Sequence, residues 1–279
     1  MILLKYTKDI DNVLQKCRQN NKTIGFVPTM GALHDGHISL VKQSTADNLI
    51  TVCSIFVNPT QFNNVTDLQK YPITLESDIN KLEQAGCDIL FIPSIIEMYS
   101  TEKENEHYEL GMLEKILEAN FRPGHFQGVC IIVDKLLAAV KPTILYLGKK
   151  DYQQCMVIKK MMVDKQHNIA LHICDTIRES DGLAMSSRNM RLNKEERQKA
   201  LCIIKSLKMI KNNIVPGELG SLKKEATNYL EKNEYKVDYT EIADADTLEL
   251  QNEWDGKRKL VALVAAYLND VRLIDNIVL

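Results

Sequence analysis

The chain has 279 residues, of which 45% are hydrophobic and 26% are charged, and its formal net charge is −2 at pH 7. This length is sufficient for one large domain or two modest ones, each with its own core. The near-neutral charge excludes a strongly basic protein that binds nucleic acid or a membrane surface through its overall field. We therefore expect neither a nucleic-acid partner nor a membrane partner.

Targeting and redox signals are weak. The longest apolar runs, such as residues 260–268, are far shorter than the roughly 20 residues of a transmembrane helix. The N-terminal segment carries charges at Lys5, Lys8 and Asp9 and does not resemble a signal peptide. Seven cysteines are scattered without a C-x-x-C pair. We interpret them as free thiols in a reducing compartment, rather than as catalytic or metal-binding groups, and this predicts a cytoplasmic protein.

The first two-thirds of the chain alternates short β-branched runs with helical patterns. Strands are predicted at residues 23–28, 48–57, 88–92, 144–147 and 170–175, and helices at 39–48, 75–85, 129–140 and about 152–165. The polar stretch 101–110 is predicted to be a solvated loop. Strands that alternate with helices are typical of a parallel sheet with right-handed crossovers, which predicts an α/β fold with a Rossmann-like sheet.

The character of the sequence changes beyond Arg191. Asn193 and Glu196 form a capping-box pattern at the start of an amphipathic helix that runs to about Lys211. A Pro-Gly break, a second helix and strands at 236–242 and 260–268 follow. We therefore predict a smaller α+β domain, with the Rossmann-like domain at 1–180 and the small domain at 181–279.

The strongest chemical signal is the string PTMGALHDGH at residues 28–37, between a predicted strand and a predicted helix. Open α/β sheets bind ligands at such junctions. Gly31 and Gly36 allow a sharp turn, and the helix start with its two histidines favours phosphate. Imidazoles can also stabilise charge on a transferring phosphate. The H-x-G-H pattern therefore predicts a nucleotide site, against the alternative of a tight turn with two surface histidines.

Two further segments carry cations at predicted strand ends. The string MSSR at residues 185–188 supplies a guanidinium fork and two hydroxyls for phosphate oxygens. The string GKKDYQQ at 148–154 supplies a lysine suited to phosphates and an aspartate that can bind ribose or cap a helix. A surface loop and a capped turn are the respective alternatives.

Two other segments predict a pocket for a small acid. The string FVNPTQF at residues 56–62 follows a predicted buried strand and presents the amide of Gln61, which can bind a carboxylate or hydroxyl. The string FRPGHFQGV at 121–129 is a Gly/Pro loop that enters an apolar helix. A structural loop with Arg122 on the surface is the alternative for the second string.

These five segments, in this order, resemble the pantothenate synthetase family of pantoate–β-alanine ligases. The strings EIADADT at 241–247 and RLIDNI at 272–277 are also similar to that family's small domain. The resemblance implies an N-terminal Rossmann-like domain, a small C-terminal lid, a homodimer, and ATP carried with Mg²⁺. It also implies two steps: pantoate and ATP give pantoyl adenylate and pyrophosphate, and β-alanine then gives pantothenate and AMP.

The resemblance also assigns roles to individual residues. The catalytic residues it implies are His37, His34, Lys150 and Arg188. The nucleotide-binding residues it implies are Met30, Gly31, Ala32, Leu33, His34, Asp35, Gly36, His37, Gly148, Lys149, Lys150, Asp151, Ile177, Met185, Ser186, Ser187 and Arg188. The pantoate site it implies consists of Gln61, Gln154, Pro28, Met30, Ile132 and Val133, and Asp78 matches a position near the magnesium and the ATP phosphates.

The chain departs from the family pattern at Ile73, Ile131 and Lys149, none of which is a motif centre. Two other functions stay open at this point. Another H-x-G-H nucleotidyltransferase would release pyrophosphate without pantoate. A non-catalytic nucleotide sensor predicts erosion of the site's histidines and cations, although His34, His37, Lys150 and Arg188 are all present.

Overall fold

The computed structural model describes residues 1–63, 65–99 and 106–279. Residues 101–105 of the predicted polar loop lie outside this part of the chain. The described residues form two compact units. Unit 1 consists of Met1–Gly111, Arg122–Lys149 and Val157–Asp175, and unit 2 consists of Met112–Phe121, Lys150–Met156 and Thr176–Leu279.

Unit 1 is built on a six-stranded sheet in which all neighbouring strands are parallel. Its strands are β1 (Ile2–Leu4), β2 (Ile24–Thr29), β3 (Ile50–Ile55), β4 (Ile89–Phe91), β5 (Ile144–Gly148) and β6 (Ala170–Cys174). Their order in the sheet is β1-β4-β3-β2-β5-β6. The predicted α/β class with a Rossmann-like parallel sheet is therefore confirmed.

Helices connect these strands. They are α1 (Thr7–Gln19), α2 (Asp35–Asp47), α3 (Val65–Gln69), α4 (Leu75–Gln84), α5 (Ile95–Tyr99), α7 (His125–Val140) and the part of α8 (Tyr152–Asp164) that belongs to unit 1. One hydrophobic cluster joins Val27 of β2 to Val41 of α2 and Leu82 of α4, all fully buried. Helix α7 packs against α1 and β2. The apolar positions of the sequence pattern thus pack the helices onto the sheet.

Unit 2 contains α6 (Glu118–Phe121) and the start of α8, together with the C-terminal elements. These are α9 (Lys194–Lys199), α10 (Leu201–Asn213), β7 (Gly217–Glu218), α11 (Gly220–Lys232), β8 (Tyr235–Asp244), β9 (Glu253–Trp254), β10 (Leu260–Leu268) and β11 (Val271–Val278). An antiparallel sheet has the order β11-β10-β8, and β7 pairs with β9.

The three-stranded sheet of unit 2 buries both faces. On β10, Ala262 and Val264 belong to the hydrophobic cluster that contains residues of α10 and α11. Val261 and Leu263 belong to a second cluster with Leu117 and Met156. Because side chains alternate along a strand, one face of the sheet packs on the C-terminal helices and the other on residues 112–121 and the start of α8.

Each predicted strand and helix is present, although several begin or end at other residues than predicted. The predicted capping box is present, since Asn193 accepts the N–H of Glu196 at 2.9 Å and Glu196 accepts the N–H of Asn193 at 2.9 Å. The single helix predicted from this cap is two helices that meet at Ala200. The elements that were not predicted are β1, α1, the short helices α3, α5 and α6, the two-residue strands β7 and β9, and the C-terminal strand β11.

All seven cysteines are free thiols, as predicted; Cys17 and Cys174 are half-buried and the others are buried. Burial raises the pKa of the Cys87 thiol to about 12. Within the described residues, no single helix is long and apolar enough to cross a membrane, although the consecutive segments Gly111–Phe121 and His125–Val140 pass that test as a bent pair, by length and composition.

Candidate active site

The parallel sheet of unit 1 reverses its order between β2 and β5, because β3 lies on the far side of β2 and β6 lies on the far side of β5. Gly25 pairs with Ile144 in parallel register, so both strands end at the same edge. A crevice at such a switch point is where open α/β sheets bind ligands. The predicted nucleotide segments 30–37 and 148–149 follow these two strands.

The turn after β2 has an unusual backbone. Gly31 and Ala32 both have positive φ, at 80° and 49°. A side chain at Gly31 is disfavoured both by this positive φ and by space, since an added Cβ would lie 3.2 Å from Oδ2 of Asp78. A left-handed alanine is strained, and such a conformation persists only where its surroundings fix it.

Helix α4 supplies that fixation. Asp78 is buried, at 1% exposure, and its two oxygens accept the N–H groups of Ala32 at 2.9 Å and Leu33 at 2.8 Å. Thr74 donates its hydroxyl to the same carboxylate at 3.0 Å. Lys81 donates its ammonium to the carbonyl of Leu33 at 2.5 Å. A carboxylate and an ammonium on one helix thus hold both sides of the strained turn.

The two histidines lie at the start of α2. His34 is the extended N-cap residue, and its N–H donates to Nδ1 of His37 at 3.4 Å. The two rings lie 4.0 Å apart between centroids. Because Nδ1 of His37 accepts a hydrogen bond, the proton of a neutral ring is on Nε2, which is then a hydrogen-bond donor.

The backbone N–H groups of this turn are already bonded within the protein. Gly31 donates to Oγ1 of Thr29 at 3.2 Å, Ala32 and Leu33 donate to Asp78, and His34 donates to His37. These four N–H groups therefore shape the turn itself, and helix α2 begins after them, at Asp35.

Gln61 lies next to this turn within unit 1. Its Nε2 donates to the sulfur of Met30 at 2.9 Å, and its Oε1 accepts Nδ2 of Asn58 at 3.2 Å. The backbone carbonyl of Gln61 meets Nδ1 of His125 at 2.7 Å. Asn58 also donates to the carbonyl of Gly128 at 3.0 Å. These contacts fix an amide beside Met30, as a pocket for a small carboxylic acid requires.

Helix α7 approaches this segment closely because of a glycine. A Cβ on Gly128 would lie 2.5 Å from the carbonyl oxygen of Thr60, a contact that side chains do not make. One turn further along α7, Ile132 and Val133 are buried at 4% and 6% exposure. The predicted apolar wall therefore belongs to the same helix that holds the Gln61 segment.

Lys149 and Lys150 have different surroundings. The Lys149 ammonium forms an ion pair with Asp175 within unit 1. A hydrogen bond from Lys149 lowers the pKa of Asp175 below its usual range. The Lys150 ammonium lies 3.8 Å from Asp151. In unit 2, the carbonyl of Lys150 accepts Nδ2 of Asn276 at 2.8 Å. Lys149, which departs from the family pattern, therefore has its charge balanced by the carboxylate of Asp175.

The two adjacent glutamines on α8 are not equivalent. Gln153 is buried, at 3% exposure, and donates to the carbonyls of Leu113 and Ile116 at 2.9 Å. It also accepts the N–H of Glu118 at 2.9 Å. Gln153 therefore holds residues 112–121 in unit 2, whereas Gln154 is only partly buried, and its role in pantoate binding stays a prediction.

The second cation-bearing segment follows a short hairpin in unit 2. Arg178 pairs with Ala184 in an antiparallel bridge, and Met185 donates its N–H to the carbonyl of Ile177 at 3.0 Å. Ser186 then caps a 3₁₀ helix over Ser187–Arg191 by accepting the N–H of Arg188 at 3.3 Å. The guanidinium that the sequence predicts for phosphate binding is thus carried on a short, capped helix.

The predicted site residues are therefore distributed over both units. Unit 1 carries Pro28, Met30 to His37, Gln61, Asp78, Ile132, Val133, Gly148 and Lys149, and unit 2 carries Lys150, Asp151, Gln154, Ile177 and Met185 to Arg188. Sequence reasoning missed Asn58, Lys81, His125 and Asn276, which position these groups. The sequence could have indicated such positioning residues where polar residues interrupt an apolar segment, as they do at 273–277.

Comparisons with known proteins identify one protein family over almost the whole chain. A family model described as pantoate-beta-alanine ligase matches residues 2–278. The chain is 46% identical over 265 residues to a pantothenate synthetase from Cytophaga hutchinsonii, covering 94% of this chain and 93% of that protein. It is 43% identical over 282 residues to a pantothenate synthetase from Thermotoga petrophila, covering 100% of both.

Two solved structures are similar over nearly the full length. The pantothenate synthetase from Thermus thermophilus matches with a TM-score of 0.87 at 35% identity, covering 99% of each chain. The pantoate-beta-alanine ligase from Francisella tularensis, in complex with beta-gamma ATP and beta-alanine, matches with a TM-score of 0.81 at 37% identity, covering 100% of this chain and 97% of that one.

Proposed function

The chain belongs to the pantoate-beta-alanine ligase family, and from this membership we propose that it condenses pantoate with β-alanine in an ATP-dependent reaction. The observation that supports this most directly is the turn after β2. There, Asp78 and Lys81 hold a strained backbone beside Gln61, and Nδ1 of His37 accepts the N–H of His34. The turn lies at the switch point of a parallel sheet.

The reaction proceeds in two steps. A carboxylate oxygen of pantoate attacks the α-phosphorus of ATP, the bond to the bridging oxygen breaks, and pyrophosphate leaves. The amine of β-alanine then attacks the carbonyl carbon of pantoyl adenylate, AMP leaves with the electron pair of the C–O bond, and the nitrogen loses a proton. Neither step requires a protein nucleophile, so the cysteines have no catalytic task.

Positioning and charge stabilisation are the contributions of the protein. Met30 to His37, Gly148 to Asp151, Ile177 and Met185 to Arg188 bind ATP. In this arrangement Nε2 of His37 donates to a phosphoryl oxygen, and His34, Lys150 and Arg188 offset charge that develops on the transferring phosphate. The cations lie on turns at strand or helix ends, where the backbone is fixed by hydrogen bonds.

Pantoate is held by Gln61 and Gln154, with Pro28, Met30, Ile132 and Val133 around its apolar part. The observed support is in unit 1, where the amide of Gln61 contacts Met30 and its segment packs on the helix of Ile132. The oxygen of the Gln61 amide is held by Asn58, and its NH₂ group donates to the Met30 sulfur. In the proposed complex, this NH₂ group donates instead to a hydroxyl or carboxylate of the acid.

Magnesium enters as a component of the substrate Mg·ATP. Within the described parts of the chain, no group of three or more His, Cys, Asp or Glu side chains is arranged to hold a metal. Asp78 was the candidate protein ligand, and its two oxygens accept the N–H groups of the turn. We therefore propose that the ATP phosphates hold the ion, and that Asp78 contributes by fixing the turn beside them.

Three further proposals follow from the sequence and the family. The N-terminal domain, residues 1–180, binds ATP and pantoate, and the C-terminal domain, residues 181–279, acts as a lid. The active protein is a homodimer. It works in the cytoplasm, which fits seven cysteines that are all free thiols.

A substrate-omission experiment tests the proposed reaction. The protein is incubated with ATP, magnesium, pantoate and β-alanine, each is omitted in turn, and AMP and pantothenate are detected by mass. We expect pyrophosphate release to require pantoate and pantothenate formation to require β-alanine. Pyrophosphate release that ignores pantoate would instead identify a nucleotidyltransferase, and ATP binding without any product would identify a sensor.

A further inference from the structure

Two adjacent polar residues on β11, Asp275 and Asn276, are both buried at 4% exposure. Along the same strand, Val271 and Leu273 are buried and Arg272 and Ile274 are only partly buried, as expected for alternating faces. The alternation stops at the polar pair. Since adjacent side chains of a strand point to opposite faces, each member of the pair contacts a different layer of unit 2.

Asp275 lies on the face of the sheet that packs on the C-terminal helices, opposite Val264 of β10. Its carboxylate accepts both ends of the guanidinium of Arg178, at 2.7 and 3.0 Å. Arg178 also donates to the carbonyl of Gly182 at 3.1 Å and to the carbonyl of Asn276 at 3.2 Å. This bidentate pair anchors the hairpin that leads directly into residues 185–188.

Asn276 lies on the other face, opposite Leu263 of β10, which packs with Leu117 and Met156. Its Nδ2 donates to the carbonyl of Lys150 at 2.8 Å. Lys150 is in the 3₁₀ turn Lys149–Asp151, which runs directly into α8. The second cation-bearing segment of unit 2 is therefore held from the same point of β11.

We propose that Asp275 and Asn276 are positioning residues that set the distance between Lys150 and Arg188 by fixing both backbone segments to one strand. The proposal rests on the proposed function, because it assigns the two segments to one triphosphate. A role in positioning the two segments accounts for a buried Asp and Asn at these positions better than a contribution to the stability of the fold does. A buried ion pair is often no more stabilising than apolar residues of the same volume, whereas it fixes direction and distance.

The test uses Asp275→Asn, Asn276→Ala and a matched control, Asp238→Asn. Asp238 accepts Nε of Arg272 at 2.8 Å and is on β8 of the same sheet, so the control also weakens a largely buried ion pair. Calorimetry with a non-hydrolysable ATP analogue and magnesium gives Kd, and steady-state assays give kcat/KM for ATP and KM for β-alanine. Thermal unfolding is measured for all variants.

We expect Asp275→Asn and Asn276→Ala each to weaken analogue binding about tenfold or more and to lower kcat/KM for ATP by a similar factor. KM for β-alanine should change less than twofold, and Asp238→Asn should leave analogue binding within twofold. Equal losses in all three variants, or unchanged analogue binding in the first two, would overturn the proposal. If Asp275→Asn does not fold, Arg178→Gln removes the same pair from the hairpin side and is expected to give the same factor.

Failure of the proposed function is distinguishable from failure of this inference. A wild-type protein that binds the analogue but makes no pantothenate would contradict the ligase reaction only. The variants would still report, through Kd, whether Asp275 and Asn276 position the nucleotide-binding segments.

Discussion

At the scale of single residues, the two ring nitrogens of His37 have separate tasks, one observed and one proposed. Nδ1 accepts the N–H of His34 at 3.4 Å and so helps to shape the start of α2. In the proposed reaction Nε2 donates to phosphate. An asparagine can place an acceptor where Nδ1 lies, and a glutamine can place a donor where Nε2 lies, so the two tasks can be separated by substitution.

We expect His37→Ala to lower kcat by roughly 10²–10³-fold, since one donor to the developing charge is removed. His37→Asn should be similarly inactive, yet keep the wild-type unfolding free energy to within about 0.5 kcal/mol because the cap acceptor is retained. His37→Gln should recover part of kcat. Steady-state kinetics and urea unfolding check these values. Near-normal formation of pantoyl adenylate by His37→Ala in a rapid-quench assay would contradict the assigned role.

Asp78 gives a second prediction at this scale. Asp78→Asn places an NH₂ group where two buried N–H donors of the turn need an acceptor, so one of them loses its partner. This costs about 1–3 kcal/mol of unfolding free energy, measured in urea, and we expect kcat to fall at least tenfold as the turn relaxes. Glu76→Gln, in the same first turn of α4 but exposed, is the control. Equal kinetics for both variants would refute the role of Asp78 in holding the turn.

The chemistry of the site could be predicted from the sequence at this scale, but its support could not. The H-x-G-H pattern is local, so its glycines and histidines report on their own turn. The partner that fixes the turn, Asp78, is 46 residues further along the chain from Ala32. Nothing in the residues around Asp78 indicates which backbone groups it contacts, because that depends on how α4 packs on the sheet.

At the scale of elements, Gly128 shows how a helix and a loop determine each other. The contact between α7 and residues 59–61 is too close for any side chain, and the same loop carries Gln61. A methyl group at this position must push the loop away from the helix. The glycine therefore contributes to the position of an amide that belongs to another element.

We expect Gly128→Ala to lower the unfolding free energy by about 1–3 kcal/mol, as overpacking usually does, and to raise KM for pantoate severalfold by displacing Gln61. The KM for ATP should change much less. Gly148→Ala is the control for stability, because nothing lies within 4 Å of the added Cβ. An unchanged pantoate KM with lowered stability would show that the loop tolerates the shift and that Gly128 is structural only.

Most strands and helices could be predicted because their apolar periods are long and their ends are marked. The capping box at Asn193 is one example, and β10 matches its predicted range of 260–268. Strand β11 was missed because Asp275 and Asn276 interrupt its apolar alternation. Asp275 and Asn276, which interrupt the strand pattern in the sequence, are the same residues that hold the two cation-bearing segments.

At the scale of the whole molecule, the compact units do not follow the order of the sequence. Residues 112–121 and 150–156 belong to unit 2, although the chain before and after each of them belongs to unit 1. Glu118 makes two bonds with Arg272 of β11, at 2.7 and 2.9 Å, and Tyr239 donates to it at 2.8 Å. Contacts between segments far apart in the sequence leave no pattern in the residues around either partner. The two segments could therefore not be assigned to the C-terminal sheet from the sequence.

A phenol in unit 2 is expected to make the stability of the protein depend on pH. Tyr152 packs against the hydrophobic cluster that includes Val261 and Leu263 and donates its hydroxyl to the carbonyl of Ala245 at 2.6 Å, and burial raises its pKa from 10.0 to about 12. A raised pKa in the folded state means that the native protein binds more protons than the unfolded chain between these values. The stabilisation is therefore complete below pH 10 and is lost as the pH rises through about 12.

We expect Tyr152→Phe to lower the unfolding free energy by about 1 kcal/mol at pH 7, because the hydrogen bond to Ala245 is lost. Between about pH 10 and pH 11.5 the variant should lose stability less steeply than the wild type, by about 1 kcal/mol per pH unit, since one ionisation is removed. Urea unfolding followed by circular dichroism across this range provides the measurement. Tyr6→Phe is the control, because Tyr6 is 61% exposed and its loss should leave the slope as it is. Parallel pH slopes for the wild type and Tyr152→Phe would show that the phenol ionises without opposing the fold, and that the packing of residues 112–121 and the start of α8 on the C-terminal sheet is looser than the contacts indicate.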